Sequence, residues 1–248
     1  MNKIEIVKKV LNGITIIEYT PIGVERERLV FYIHGFTMNK EDGASTGAYH
    51  FSSRGFKVVT LDAFGHGERL TKKLQYSDYK KEMEYFYEII ENTAEEIKKM
   101  YEEHYKKDFP KFNIVGESMG GMLTYMVGCI TEGLAGIGAI VGSPSLIEYG
   151  YDDMEYNKCK KEEYKGMLDH LGKYDAMEHL DLFIDTKIYM LCGTKDDVVP
   201  KKYSEEFAKK MKAKYGKDDI VYHEVDSGHW MAYEHCYGLY EWAKKEFK

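Results

Sequence analysis

Cysteine is sparse in this chain and never closely paired. Cys129, Cys159, Cys192 and Cys236 are the four in 248 residues, and their wide spacing supports neither a zinc site nor a disulfide framework. Proline is also scarce, with four residues, and no Pro- or Ser-rich linker, repeat or low-complexity tract breaks the sequence. No stretch approaches the roughly 18 apolar residues that a membrane-spanning helix needs. The opening, MNKIEIVKKVLNG, has neither an apolar signal core nor a small-residue cleavage site. These absences predict a cytoplasmic protein with no membrane partner.

A basic excess is missing too. Asp and Glu number 42 against 35 Lys and Arg, a formal net charge of -7, which argues against nucleic acid or an anionic membrane surface as the main partner. Lysines and glutamates are mixed along the helical stretches, as on solvated helix faces. No His/Asp/Glu set is spaced like a known metal-ligand set, so neither metal nor cofactor is expected. The oligomeric state is left open.

What is present fits one α/β domain. Hydrophobic residues make up 44% and charged residues 31%, ordinary for a globular chain. At this length roughly three-quarters of the unfolded surface can be buried. Short apolar runs alternate with longer helical patterns, which signals βαβ units and a mostly parallel sheet. The segments Ile4 to Val10 and Ile14 to Tyr19 around Asn12-Gly13 read as a β-hairpin. The runs 29–33, 57–61, 112–115, 137–141, 188–192 and 220–225 are continuous rather than alternating, as strands covered on both faces should be.

Asp78 to Tyr105 reads as one amphipathic helix, with Tyr79, Met83, Phe86, Tyr87, Ile90, Ala94, Ile97 and Tyr101 on a single stripe. Residues 201–215 and 231–247 show weaker helical patterns. The stretch of about 145–183 is too long for a simple connection and carries Gly150, Gly166 and Gly172 as breaks. It reads as a small helical cap inserted after a core strand. Its tyrosines, Tyr149, Tyr151, Tyr156, Tyr164 and Tyr174, are then candidates to line an acyl or aryl pocket.

The strongest chemical signal is Gly116-Glu117-Ser118-Met119-Gly120, between the apolar run 112–115 and the helical run 122–130. A serine hydroxyl needs exposure, orientation and an adjacent base before it can attack. A sharp strand-to-helix turn provides exposure, and the crowded backbone there demands small neighbours, here Gly116, Gly120 and Gly121. The start of a helix also favours developing negative charge.

The base and its orienting carboxylate follow in the order Asp, then His. The run 188–192 leads into Gly193-Thr194-Lys195-Asp196-Asp197, and the run 220–225 leads into Asp226-Ser227-Gly228-His229. His229 is the candidate base. The residues alone leave the carboxylate open between Asp196 and Asp197, with Asp196 favoured. His34 belongs to a strand-end motif, and His66 to a Gly-His-Gly loop suited to hydrogen bonding. The remaining histidines fall on probable surface or packing positions. An oxyanion needs two backbone donors: the N–H of Met119 is one candidate, and the N–H of Phe36, in His34-Gly35-Phe36-Thr37, is the other.

At these motifs, together with Asp62-Ala63-Phe64-Gly65-His66-Gly67-Glu68-Arg69, Gly142-Ser143-Pro144 and Gly193 through Pro200, the sequence resembles the α/β-hydrolase superfamily. More narrowly, it resembles the small bacterial esterases related to prolyl-oligopeptidase-type hydrolases, and shares His-Gly-Phe-Thr with cinnamoyl and feruloyl esterases. The resemblance implies an α/β-hydrolase fold and cleavage of a small-molecule carboxylic ester through Ser118, His229 and a carboxylate. It places that carboxylate three residues after the strand-end glycine, at Asp196. It also implies Phe36 as an oxyanion donor and Asp62 through Gly67 as a structural loop near the site. Thioester, amide or acyl-transfer chemistry would use the same machinery.

Overall fold

Alternation explains why the core strands read as unbroken apolar runs. In β3 (Arg28–Ile33), Leu29, Phe31 and Ile33 enter one hydrophobic core, while Val30 and Tyr32 enter a second core on the opposite face. In β7 (Lys187–Gly193), Ile188, Met190 and Cys192 take the first core and Tyr189 and Leu191 the second. Side chains two apart share a face, so a strand covered on both sides must be apolar throughout.

A computed structural model of the chain describes residues 3–24, 28–70, 79–160, 162 and 164–248. The expected helix start at Asp78, and residues 161 and 163 within the 145–183 segment, lie outside the described residues. Eight strands form one sheet in the order β1-β2-β4-β3-β5-β6-β7-β8. The first hairpin, β1 (Ile4–Leu11) and β2 (Ile14–Pro21), is antiparallel and joins β4 (Phe56–Leu61) at one edge. From β4 onward every pairing is parallel, through β3, β5 (Phe112–Glu117), β6 (Leu134–Ile140), β7 and β8 (Val221–Val225).

On one face lie α1 (Ser45–Ser52), which the sequence pattern did not reveal, and α7 (Tyr237–Glu246). On the other lie α2 (Tyr79–Met100), α3 (Met119–Ile130) and α6 (Lys202–Tyr215). Between β6 and β7 the described residues form α4 (Leu146–Tyr156), α5 (Lys165–Leu171) and the 3-10 turns Gly172–Tyr174 and Leu180–Phe183. The buried Asp175 carboxylate anchors α4, accepting from the N–H of Leu146 and of Ile147, each at 2.8 Å. No helix among the described residues is long and apolar enough to cross a membrane.

Three expectations about elements need correction. The helix expected to run to Tyr105 changes to a π-helical turn over Tyr101–Tyr105, where Tyr101 and Tyr105 still turn inward. The one helix expected over 231–247 is a 3-10 turn, Tyr233–Cys236, followed by α7. Ile220 lies outside β8, and β8 is covered only in part. Tyr222 packs against the first core and Val221 and Val225 against the second, but it is an edge strand with one ladder neighbour, and His223 and Glu224 are exposed. An edge strand has neighbours on one side only, so it tolerates polar side chains that a central strand excludes.

Candidate active site

Four chain segments meet at the carboxyl edge of the sheet, where open α/β sheets place their sites. Ser118 stands between β5 and α3 with φ 54 and ψ -114, a left-handed conformation costly for any residue with a side chain. The tight turn holds it there. Its N–H donates to Ile140 O at 2.8 Å, and its carbonyl accepts from Met122 N at 3.0 Å, joining strand to helix. A Cβ on Gly116 would lie 2.3 Å from the Gly120 backbone, and one on Gly120 would lie 2.3 Å from Ile33 O. Only hydrogen fits at these two crossings, so the glycines that frame the serine are steric requirements.

His229 arrives from the loop after β8. Its Nε2 lies 2.8 Å from Ser118 Oγ, and its Nδ1 lies 2.9 Å and 3.1 Å from the two carboxylate oxygens of Asp196. An ionised carboxylate only accepts, so Nδ1 carries the proton and Nε2 is left to accept from the serine hydroxyl. Asp196 is held in turn: its Oδ1 accepts from Val198 N at 3.0 Å and Val199 N at 2.9 Å. Asp197 is exposed and borders a separate surface cleft. The two loops are laced together, with Thr194 N donating to Val225 O at 2.9 Å and Lys195 N to Ser227 O at 3.0 Å. A Cβ on Gly193 would lie 2.6 Å from both Ser227 O and Gly228 O, so the strand-end glycine is what lets the histidine loop cross so closely.

The loop after β3 closes the third side. A Cβ built on Gly35 would lie 3.7 Å from Ser118 Cβ, so this backbone runs beside the serine. His34 is fully buried; its Nδ1–H donates to Gly35 O at 2.7 Å, and its Nε2 accepts from Ala63 N at 3.0 Å. Burial pushes its pKa down to about 4, which keeps the ring neutral. His66 works in parallel, its Nε2 accepting from Thr37 N at 3.1 Å and its Nδ1–H donating to Phe64 O at 3.0 Å. Two histidines therefore tie the Phe36 loop to the loop after β4.

Beneath them sits an ion pair that the sequence did not disclose. Lys40 is fully buried, and its Nζ lies 2.8 Å from Asp62 Oδ2. Asp62 also accepts from the N–H of Lys40 at 2.8 Å and of Glu68 at 3.0 Å. Burial opposes its charge, but the Lys40 ammonium and these N–H groups outweigh it and hold the carboxyl below its usual range. Glu117, directly before the serine, is half-buried and accepts from Tyr32 Oη at 2.8 Å; desolvation raises its pKa.

A cavity of about 200 Å³ opens from Ser118. The Phe36 loop, Met119 and Met122 of α3, Tyr149 of α4, and Val198 and Val199 line it. Among the described residues its remaining wall is the first turns of α2, through Tyr79, Glu82, Met83 and Phe86. Both candidate oxyanion residues, Phe36 and Met119, thus border the same space as the serine.

Of the five tyrosines expected to line a pocket, Tyr149 alone borders this one. Tyr164 is buried behind the lining, packed against Tyr79 at 6.4 Å. Tyr174 is buried with its hydroxyl on Glu91 and Glu95 at 3.1 and 2.9 Å, which ties its segment to α2. Tyr156 is 85% exposed and borders a neighbouring surface cleft with Asp152, Asp153 and Asp197. Tyr151 packs at the edge of the core. Among the described residues, no group of three or more His, Cys, Asp and Glu is arranged to hold a metal ion.

The sheet order, the flanking helices and this carboxyl-edge site define an α/β hydrolase, and structural comparison agrees. A crystal structure of TT1662 from Thermus thermophilus superposes with a TM-score of 0.79 over 99% of each chain at 18% identity. More narrowly, residues 24–161 match the family described as serine aminopeptidase, S33, and the chain belongs to that family. Among curated proteins it is similar to the "Putative esterase YitV" of Bacillus subtilis, 27% identical over 76% of each chain. It is also similar to the "Esterase YjfP" of Escherichia coli, 24% identical over 79% of this chain and 80% of the relative.

Proposed function

We propose that this hydrolase is a serine esterase that cleaves small carboxylic esters through Ser118, His229 and Asp196. The observation that carries the reading is the continuous hydrogen-bonded line from Asp196 through His229 to Ser118 Oγ, with 2.9 and 2.8 Å links. In this reading His229 Nε2 takes the hydroxyl proton as Ser118 Oγ bonds to the ester carbonyl carbon. The N–H groups of Phe36 and Met119 hold the resulting oxyanion, a contribution of about 10²- to 10³-fold per donor in related chemistry. His229 then returns the proton to the departing alkoxide, and the acyl group stays on Ser118. Water, deprotonated by the same imidazole, attacks the acyl-enzyme and frees the acid.

Names of the curated relatives favour an ester over an amide, while the family description keeps an aminopeptidase reading in view. In the same reading 145–183 acts as a cap that contributes Tyr149 to the pocket. Four unpaired thiols suit a cytoplasmic setting.

The cavity is small beside the roughly 300–1,000 Å³ of common ligand pockets, so short acyl groups should be preferred. The test is a hydrolysis panel from acetyl to palmitoyl esters with a feruloyl ester, an acyl-CoA and a prolyl amide. We expect the highest kcat/KM on acyl chains up to about hexanoyl, with Ser118→Ala inactive on all. A prolyl amide cleaved faster than every ester would replace the esterase reading with the peptidase one.

A further inference from the structure

Among the described residues, Glu82 is the one ionisable side chain bordering the apolar cavity besides the tyrosines, and its environment is anomalous. Its neighbours there are Phe36, Met83, Phe86, Met122 and Val199. Its Oε1 is buried and has no hydrogen-bond partner among the described residues. An acceptor stripped of water without a replacement is costly, and native structures leave few such groups unexplained. Glu82 stands in the first turn of α2, yet this oxygen accepts from none of the helix N–H groups. Among the described residues the oxygen therefore meets no donor.

We infer that Glu82 is a specificity residue: its free oxygen receives a hydrogen-bond donor, hydroxyl or ammonium, carried by the acyl part of the substrate. This rests on the esterase reading above. The acyl part is assigned by proton transfer. The departing alkoxide must reach His229 Nε2, and His229 does not border the cavity, whereas Ser118 and both oxyanion residues do. The leaving group thus lies on the histidine side, and the acyl group extends into the cavity toward α2. A substrate with an apolar body and a donor at Glu82's depth would satisfy the methionines, the phenylalanines and the orphaned oxygen together. A plain acyl chain leaves that oxygen unpaired.

The experiment compares p-nitrophenyl esters of plain, ω-hydroxy and ω-amino acids from hexanoate to octanoate, in wild type, Glu82→Gln and Glu82→Leu. For one chain length the wild type should show a kcat/KM at least about tenfold higher for a donor-bearing ester than for its plain counterpart, a typical gain for a hydrogen bond to a charged group. Glu82→Leu should abolish or invert that ratio. Glu82→Gln keeps an acceptor but no charge, so it should keep a hydroxyl preference and lose an ammonium preference. Glu82→Leu should also melt no lower than wild type, because it removes an unsatisfied acceptor; a purely structural Glu82 would give a lower melting temperature and an unchanged ratio. No donor preference at any length, or one that survives Glu82→Leu, overturns the inference. If the wild type hydrolyses none of these esters, the esterase reading is what fails. Protection of Ser118 from a fluorophosphonate by the matched plain, ω-hydroxy and ω-amino primary amides then reads the cavity's preference without turnover, with equal protection by all three overturning the Glu82 inference.

Discussion

Two neighbouring aspartates, Asp196 and Asp197, show how much one peptide unit decides. Asp196 is 9% exposed, accepts two backbone N–H groups and faces the imidazole. Asp197 is exposed beside Tyr156 and Lys202 at a separate cleft. A carboxylate that fixes the imidazole tautomer and balances its charge is worth about 10⁴ in kcat when replaced by its amide. Asp196→Asn should therefore fold and be nearly inactive on a short-chain ester, while Asp197→Asn keeps activity within a few-fold. The reverse ranking would move the orienting carboxylate to Asp197. Ser118, Asp196 and His229 were legible as candidates because each motif carries its own local geometry: a glycine-framed turn, a strand-end glycine three residues before an acid, and a loop histidine after the last strand. Glu82 and Tyr79 were not. On α2 they share the periodicity of the core stripe, and only the placement of the helix over the site turns its first turn into a cavity wall.

At the scale of elements, the site depends on close crossings more than on any single contact. The β7 end and the histidine loop approach so tightly that a methyl group at Gly193 must displace Ser227 and Gly228, both within 2.6 Å. A shift of about 1 Å in a catalytic group can cost on the order of 10²-fold. Gly193→Ala should lower kcat by at least tenfold while changing KM far less, because the cavity wall lies elsewhere. Steady-state kinetics on one ester check this, and an unchanged kcat would mean that the loop absorbs the methyl without moving His229.

Strands β3 through β7 announce themselves because burial on both faces leaves a continuous apolar run. β8 was read as a similar run, but His223 and Glu224 interrupt it because it lies at the edge, and strand order is a tertiary fact absent from local pattern. Tyrosine count in 145–183 suggested a pocket, but the count says nothing of direction. Tyr174 turns to the glutamates of α2, and α4, pinned by Asp175, delivers Tyr149 alone to the cavity.

For the whole molecule, the buried histidine beneath the site couples stability to pH. His34 is neutral when folded, with its pKa pushed down to about 4 from an ordinary 6.5 by burial. As pH falls, the unfolded chain takes up that proton first, so the stabilisation is complete above about 6.5 and is lost as pH approaches 4. The difference is on the order of 3 kcal/mol, or about 10 °C in melting temperature for a chain of this size. Asp62, held below its usual range by Lys40, acts at lower pH: its contribution is present above the ordinary carboxylate pKa and lost as pH falls through its depressed one. Melting scans should show wild type losing stability between pH 6.5 and 4, and His34→Gln, though less stable at pH 7, should show a shallower slope. Parallel slopes would remove His34 from the acid response.

The proposed chemistry turns on Ser118 being the activated nucleophile of the fold. Reaction with a fluorophosphonate, followed by intact mass and peptide mapping, measures this directly. A single adduct on Ser118 in wild type is predicted, with none in Ser118→Ala and labelling slowed by at least about 10³-fold in His229→Ala, in line with the loss of a triad member. An adduct on another residue, or undiminished labelling of Ser118→Ala, would contradict the account.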